Sequence, residues 1–287
     1  MKSFNYHEPA TVAEVCRLLA DLGPEARVLA GGTDLIVKMK AGAITARHVV
    51  NLKKAPGLAF IQAEEASFRL GALTTLAELE AHPGLRSAMP LLGEAAATVG
   101  SVQIRNVATL GGNLCNASPS ADMAPGLLVL GAKAVLTGPK GTRTVSLEDF
   151  FLGPGRADLA AGEILTEVIV PCPPPGTRTI YLKQGPRRAM DIAVVGVAVA
   201  LGLAPASGSC DRAGIALGAV APTPLRLKKA EKLLVGLHPA EFPLEDLTRT
   251  VRSEINPISD VRASREYRLE VSSTLVLRAI GLLLDQK

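Results

Sequence analysis

Tryptophan is missing from this 287-residue chain, and only three tyrosines and six phenylalanines are present. Proteins that bind single-stranded nucleic acid stack bases on aromatic faces, so 3% aromatics argues against that task. The core has to be built from Ala, Val, Leu and Ile. Cysteine is scarce too: Cys16, Cys115, Cys172 and Cys210, with no CxxC pair among them. That spacing fits neither a zinc site nor a cysteine-held iron–sulfur cluster, and it predicts idle thiols in a reducing compartment. The four histidines, His7, His48, His82 and His238, are equally scattered and predict no metal centre. No block of like charge occurs. The 31 Lys+Arg against 27 Asp+Glu leave a net +4, a balance that favours solubility and gives no stripe for nucleic acid. The longest apolar run, Ile192 to Ala204, is too short to span a bilayer, and the N-terminal MKSFNYHEPATVAEV lacks an apolar signal core. The expectation is a cytoplasmic protein with no transmembrane segment and no nucleic-acid partner.

What is present is an ordinary globular composition, 48% apolar and 20% charged. The length exceeds one compact core and predicts two or three domains. Thr11 and Glu14 have capping-box spacing at the head of an amphipathic helix through Leu22, and Gly23-Pro24 ends it. Arg27 to Ala30 reads as a strand broken by Gly31-Gly32, with a helical turn through Met39; His48 to Leu52 is another strand. A first unit therefore covers residues 1–53. In the second, residues 54–171, Ser67 to Leu73 alternates as a strand, and Thr75 and Glu78 open a capped helix to Ala81. Pro90 to Val99 and Pro125 to Leu130 read as helices. Ala132 to Thr137 and Glu163 to Val170 read as strands. Pro171-Cys172-Pro173-Pro174-Pro175-Gly176 is the clearest linker. Beyond it, residues 176–287 give three strands (Arg178 to Gln184, Ile192 to Leu203, Ala213 to Ala219). Three helices follow (Leu225 to Val235, Leu244 to Glu254, Glu266 to Leu284). Strands followed by helices predict an α+β domain.

Two glycine-centred stretches carry the chemistry. Thr109 to Asp122 reads TLGGNLCNASPSAD, and Ala30 to Leu35 reads AGGTDL. Bulky side chains are nearly absent from both, which lets backbone N–H groups come close to a ligand. Each follows an apolar stretch, so together they read as two loops that act as jaws around an anionic, nucleotide-like cofactor. Neither carries the third glycine of GxGxxG nor the Gly-Lys-Ser/Thr of a Walker loop.

AGGTDLIVKMK (30–40), QIRNVATLGGNLCNASPSAD (103–122) and YLKQGPRRAMDIAVVGVA (181–198) together resemble one family: the FAD-binding, or medium, subunit of the molybdenum hydroxylases, the group of xanthine dehydrogenase and aerobic carbon monoxide dehydrogenase. LGAVAPTPLRLKKAE (217–231) and DVRASREYR (260–268) resemble its last domain. The resemblance implies an α+β protein: two N-terminal subdomains of the vanillyl-alcohol-oxidase type that clamp FAD, then a C-terminal domain with an antiparallel sheet. It implies that the N–H groups of Gly31, Gly32, Thr33 and Asp34, flanked by Leu29, Ala30 and Leu35, hold the pyrophosphate. Gly111, Gly112 and Asn113 approach from the other side, with the Thr33 and Thr109 hydroxyls as added donors. Ser118 belongs to the same set. Asp122, an acceptor, is expected to take a ribityl or ribose hydroxyl; Asp34 either caps its helix or binds directly. Leu165 and Val99 match positions beside the flavin. Lys183 matches a position near its pyrimidine edge, where a cation would raise the potential. Arg187, Arg188 and Asp191 either pair or edge the entrance of an electron acceptor. The resemblance further implies a molybdopterin-binding large subunit and a small subunit with two two-iron two-sulfur clusters, as a dimer of heterotrimers. Electrons would leave through FAD to an external electron acceptor: NAD, oxygen or a quinone. The hydroxybenzoyl-CoA reductase branch, which adds a cluster-binding cysteine segment, does not fit. A self-sufficient flavin oxidoreductase and a non-catalytic assembly subunit are the alternative readings.

Overall fold

Three main β-sheets, one two-stranded hairpin and the helices between them make up the described part of the chain; the structure is a computed structural model and describes residues 1–187 and 189–285. The first sheet is parallel and short. β1 (Asn5–His7) leads into helix α1 (Val12–Leu22), β2 (Ala26–Leu29), helix α2 (Leu35–Lys40) and β3 (His48–Asn51), in the order β1–β3–β2. Thr11 caps α1 by accepting the Glu14 N–H at 3.1 Å. Glu14 reaches back to the N–H of Ala10 rather than that of Thr11, so the expected reciprocal box is displaced by one residue.

The second sheet is antiparallel, β4 (Ile61–Ala63), β5 (Ser67–Gly71), β6 (Lys133–Gly138), β7 (Gly141–Ser146) and, beyond the small hairpin β8 (Phe151–Gly153)–β9 (Arg156–Ala157), β10 (Ile164–Pro171). Its order is β4–β5–β10–β6–β7. Between β5 and β6 come six short helices: α3 (Leu76–Ala81), α4 (Pro83–Ala88), α5 (Pro90–Ala97), α6 (Val102–Arg105), α7 (Leu110–Cys115) and α8 (Met123–Val129); α9 (Leu147–Phe150) follows β7. At α3 the Thr75/Glu78 capping box is complete. β10 carries a bulge between Leu165 and Glu167, which takes Thr166 out of register with β6, although its hydroxyl still donates to the Val135 carbonyl at 3.1 Å.

The third sheet is an antiparallel meander, β11 (Arg178–Gln184), β12 (Val195–Leu203), β13 (Cys210–Gly218) and β14 (Leu225–Arg226), backed by α10 (Lys228–Lys232), α11 (Leu244–Glu254) and α12 (Arg265–Asp285). The sequence of β12, VGVAVALGL, explains its place. Its larger residues, Val197, Val199 and Leu201, pack with α11 and α12, while Ala198 and Ala200 face the core around α5 and α8. A side with little bulk lets α8 lie close: a β-carbon at Gly214 would come within 3.3 Å of Val129. Leu225 to Val235 is not one helix. Leu225 pairs with Leu217, and the N–H of Leu227 goes to Ile215, so the first residues complete the sheet edge and only 228–232 turn helical. No helix among the described residues is long and apolar enough to cross a membrane.

Candidate functional site

A cavity of about 620 Å³ opens where the first sheet meets the second, within the usual range for a ligand pocket. The first glycine stretch forms one wall. Gly32 holds a φ of +80°, a conformation that glycine adopts without strain. Gly31 is pressed against the backbone that precedes α7: a β-carbon there would lie 2.1 Å from the Val107 carbonyl oxygen. No group among the described residues takes the N–H of Gly31, Gly32, Thr33 or Asp34. Four adjacent amide donors without a partner suit an anion.

The second stretch is not the open loop expected from its composition. Thr109 caps α7, its hydroxyl oxygen accepting the Gly112 N–H at 3.1 Å. The N–H groups of Leu110, Gly111 and Asn113 go to Thr74, Ala72 and Thr109 carbonyls. The stretch therefore meets the cavity with bare backbone surface and not with amide donors, which removes half of the symmetrical two-jaw picture. Gly111 is needed because its β-carbon would lie 2.8 Å from the Ala72 carbonyl oxygen. At Gly112 the β-carbon would meet Thr109 Oγ1 at 2.9 Å and face Ala30 at 4.0 Å. One polar atom here has no partner: the buried Oδ1 of Asn113, an acceptor on the cavity wall. Such an atom is costly unless a donor reaches it.

Ala30, Gly31, Gly32, Thr33, Asp34 and Leu35 line the cavity, as do Val99, Thr109, Gly111, Gly112, Asn113 and Leu165. Leu29, Ser118, Asp122 and Lys183 do not. Asp34 sits at the N-cap of α2, yet its backbone is already helical (φ −96°, ψ −51°) and its side chain makes no capping bond. An Asx cap needs an extended backbone, so the capping alternative does not hold. Ser118 turns inward on Ser120, 3.0 Å away.

Asp122 and Lys183 meet each other instead of the cavity. Asp122 Oδ2 lies 2.9 Å from the Lys183 ammonium, and Oδ1 accepts the Tyr181 hydroxyl at 2.8 Å. Lys183 also donates to the carbonyls of Thr98 (3.0 Å) and Asp191 (3.1 Å). Its three N–H groups are thus all engaged, and the Asp122 carboxylate has no oxygen left without a partner. Asp122 is 8% exposed and Tyr181 5%. Burial pushes the Asp122 carboxyl above its usual range, opposed by Lys183 and then Tyr181; burial also holds the Tyr181 phenol well above its own. The cluster reaches the cavity only indirectly, through Thr98 beside Val99.

Arg187 and Asp191 form no side-chain pair; Asp191 Oδ2 accepts the Arg187 backbone N–H at 3.0 Å, while the guanidinium goes to Met190 O. Arg188 lies outside the described residues. His7 and His48 share a 3.0 Å ring-nitrogen contact, and no group of three metal-ligating side chains exists among the described residues. Sequence reasoning missed Lys38, Cys115, Asn116 and Glu163 on the cavity wall. Burial raises the Cys115 thiol to about 12, so it stays protonated. Lys38 and Cys115 lay inside the quoted motifs, but nothing in their spacing turned them toward a ligand.

A family model described as FAD binding domain in molybdopterin dehydrogenase matches residues 2–173; one described as CO dehydrogenase flavoprotein C-terminal domain matches residues 180–283. The chain is similar to the xanthine dehydrogenase FAD-binding subunit of Escherichia coli O157:H7, 36% identical over 279 residues, 96% of this chain and 94% of that one. It is similar to the carbon monoxide dehydrogenase medium chain of Afipia carboxidovorans, 36% identical over 278 residues, 97% and 96% of the two chains. Its fold is similar to a chain of reconstituted CO dehydrogenase from Oligotropha carboxidovorans, with TM-score 0.94, 35% identity and 98% of both chains covered.

Proposed function

Since this chain belongs to the FAD-binding subunits of the molybdenum hydroxylases, oxidoreductases of the xanthine and carbon monoxide dehydrogenase type, we propose that it is the electron-exit subunit of such a complex. In this reading a molybdopterin-binding large subunit oxidises the substrate, and a small subunit with two two-iron two-sulfur clusters feeds this chain. The chain then delivers to NAD, oxygen or a quinone, in a cytoplasmic dimer of heterotrimers. Bound FAD supplies the redox chemistry that links a cluster donor to the acceptor. The residues supply position and polarity.

The observation that carries the reading is the pairing of complementary groups on one cavity: four unpartnered amide N–H groups at Gly31 to Asp34 and one unpartnered acceptor, Asn113 Oδ1. A dinucleotide offers a diphosphate to the first and hydroxyls to the second, so the residues fit the group. Val99 and Leu165 give the apolar wall a ring system needs. Residues 1–53 and 54–171 act as the clamp, and the C-terminal unit holds Lys183 beside the Thr98–Val99 edge. No side-chain acid, base or nucleophile is required of the chain.

The visible spectrum of the purified full-length chain, with identification of the released cofactor, tests the cavity. A flavin spectrum with FAD released on denaturation is expected. A colourless chain that FAD cannot reconstitute would leave an assembly role in front. Co-expression with candidate large and small subunits tests the electron route: substrate added to the complex should bleach the flavin, and turnover by the isolated chain would contradict the assignment.

A further inference from the structure

Residues 1–53 and the rest of the described chain are joined by few polar contacts. Only two side-chain hydrogen bonds cross between them: Cys16 Sγ to Thr137 O at 3.3 Å, and Lys38 Nζ to Asn116 Oδ1 at 2.5 Å. The second spans the cavity. Lys38 lies on α2, one turn beyond Asp34, and Asn116 is the residue that ends α7; both line the wall.

The other charged groups on that wall do not bridge the cleft. Arg27 folds back on its own segment, one terminal nitrogen on the Pro24 and Ala26 carbonyls at 2.6 and 2.7 Å, and makes no hydrogen bond to the facing wall among the described residues. Glu163 is held by Arg143 at 2.7 Å. Asp34 is exposed and has the wrong sign for an anion. Lys38 keeps two of its three N–H groups after Asn116 has taken one. Amide N–H groups carry partial charges only. A diphosphate brings two full charges into a part-buried cleft, where an unmatched charge is costly.

We propose that Lys38 is the cation that pairs with the diphosphate of the bound dinucleotide, held across the cleft by Asn116 so that both subdomains close on it together. The inference rests on the cavity being the FAD site. Lys38 is then a determinant of dinucleotide affinity, and Asn116 is a positioning residue that acts through it.

The test uses the full-length chain stripped of flavin and titrated with FAD, ADP and riboflavin at low and high salt, by flavin fluorescence and calorimetry. Lys38→Met is expected to weaken FAD and ADP about tenfold, or about 1.4 kcal/mol. It should also flatten the salt dependence, and leave riboflavin, which has no phosphate, unchanged. Lys38→Arg should keep most of the affinity and its salt response, and Asn116→Ala should show a smaller loss for FAD and ADP. Lys38→Gln, read beside the thermal midpoint of each stripped variant, serves where the Met variant folds poorly. Wild-type affinity and salt response for FAD and ADP in either uncharged variant would overturn the proposal. So would an equal loss for riboflavin, because that marks a structural role. A wild-type chain that takes up neither FAD nor ADP would instead sink the cofactor reading itself.

Discussion

A β-carbon at Gly112 would press on the hydroxyl that caps α7 and point at Ala30 across the cavity. Gly112→Val is expected to strip flavin from the chain while the third sheet and its helices stay folded. Flavin absorbance per chain beside far-UV circular dichroism reads both, and normal flavin content would contradict the cavity assignment. Glu163, also on the wall, gives a pH signature. The Arg143 guanidinium beside it is the main cause that holds its carboxyl below the usual range. The unfolded chain therefore takes the proton first. This stabilisation is full above the unfolded carboxyl value of about 4.3 and is lost as pH falls through the folded one. Arg143→Met should flatten the acid limb of stability, measured by urea unfolding from neutral pH into the acid range; an unchanged limb would show that the pair contributes nothing. At this scale the sequence was legible where backbone chemistry decides. Gly31, Gly111 and Gly112 lack a side chain because a neighbour stands where it would go, and Gly32 because of its positive φ. It was not legible where partners are distant. Asp122 and Lys183 stand 61 residues apart, and no local pattern announces that each satisfies the other. Lys38 and Asn116, 78 residues apart, were hidden in the same way.

Among the elements, α7 matters most to the site. It is six residues long, contains two glycines, and has little intrinsic tendency to form. The Thr109 cap and the carbonyls of Ala72 and Thr74 hold it in place. Thr109→Ala is expected to cost about 1 kcal/mol of stability and to loosen flavin as well. Urea midpoints and flavin retention on dilution measure the two; unchanged values for both would mean that packing alone holds α7. Reading TLGGNLC as a loop followed composition correctly and tertiary anchoring wrongly. The Thr75/Glu78 box was legible because its two partners are local. The segment from Leu225 failed for the opposite reason: its first residues serve as a sheet edge for β13, an environment that helical periodicity does not encode.

Across the whole molecule, α5 and α8 lie between the second sheet and the small-residue side of the third, in one continuous core. A chain ended after Pro175 would leave that side of the helices uncovered. It is expected to aggregate or bind hydrophobic dye, seen by light scattering and dye fluorescence. A monodisperse, flavin-loaded fragment would show that the C-terminal unit is dispensable to the clamp. The α+β order and the proline-rich linker were visible in the sequence, because composition changes there. The shared core was not, since β12 reads as one apolar run whichever neighbours flank it. The cavity wall also has a consequence for the order of synthesis. Its lining begins at Arg27 and ends at Leu165. The ribosome therefore releases the amide-rich wall well before the strand that finishes the chamber has been made. At roughly 5–20 residues per second, more than a hundred intervening residues take some seconds to emerge. Until Val107 has emerged, early in that interval, the nascent N-terminal unit displays the very surface of Gly31 that will press against it. Flavin loading is thereby a late event in the life of each chain, and premature closure on anything else is a hazard of its birth.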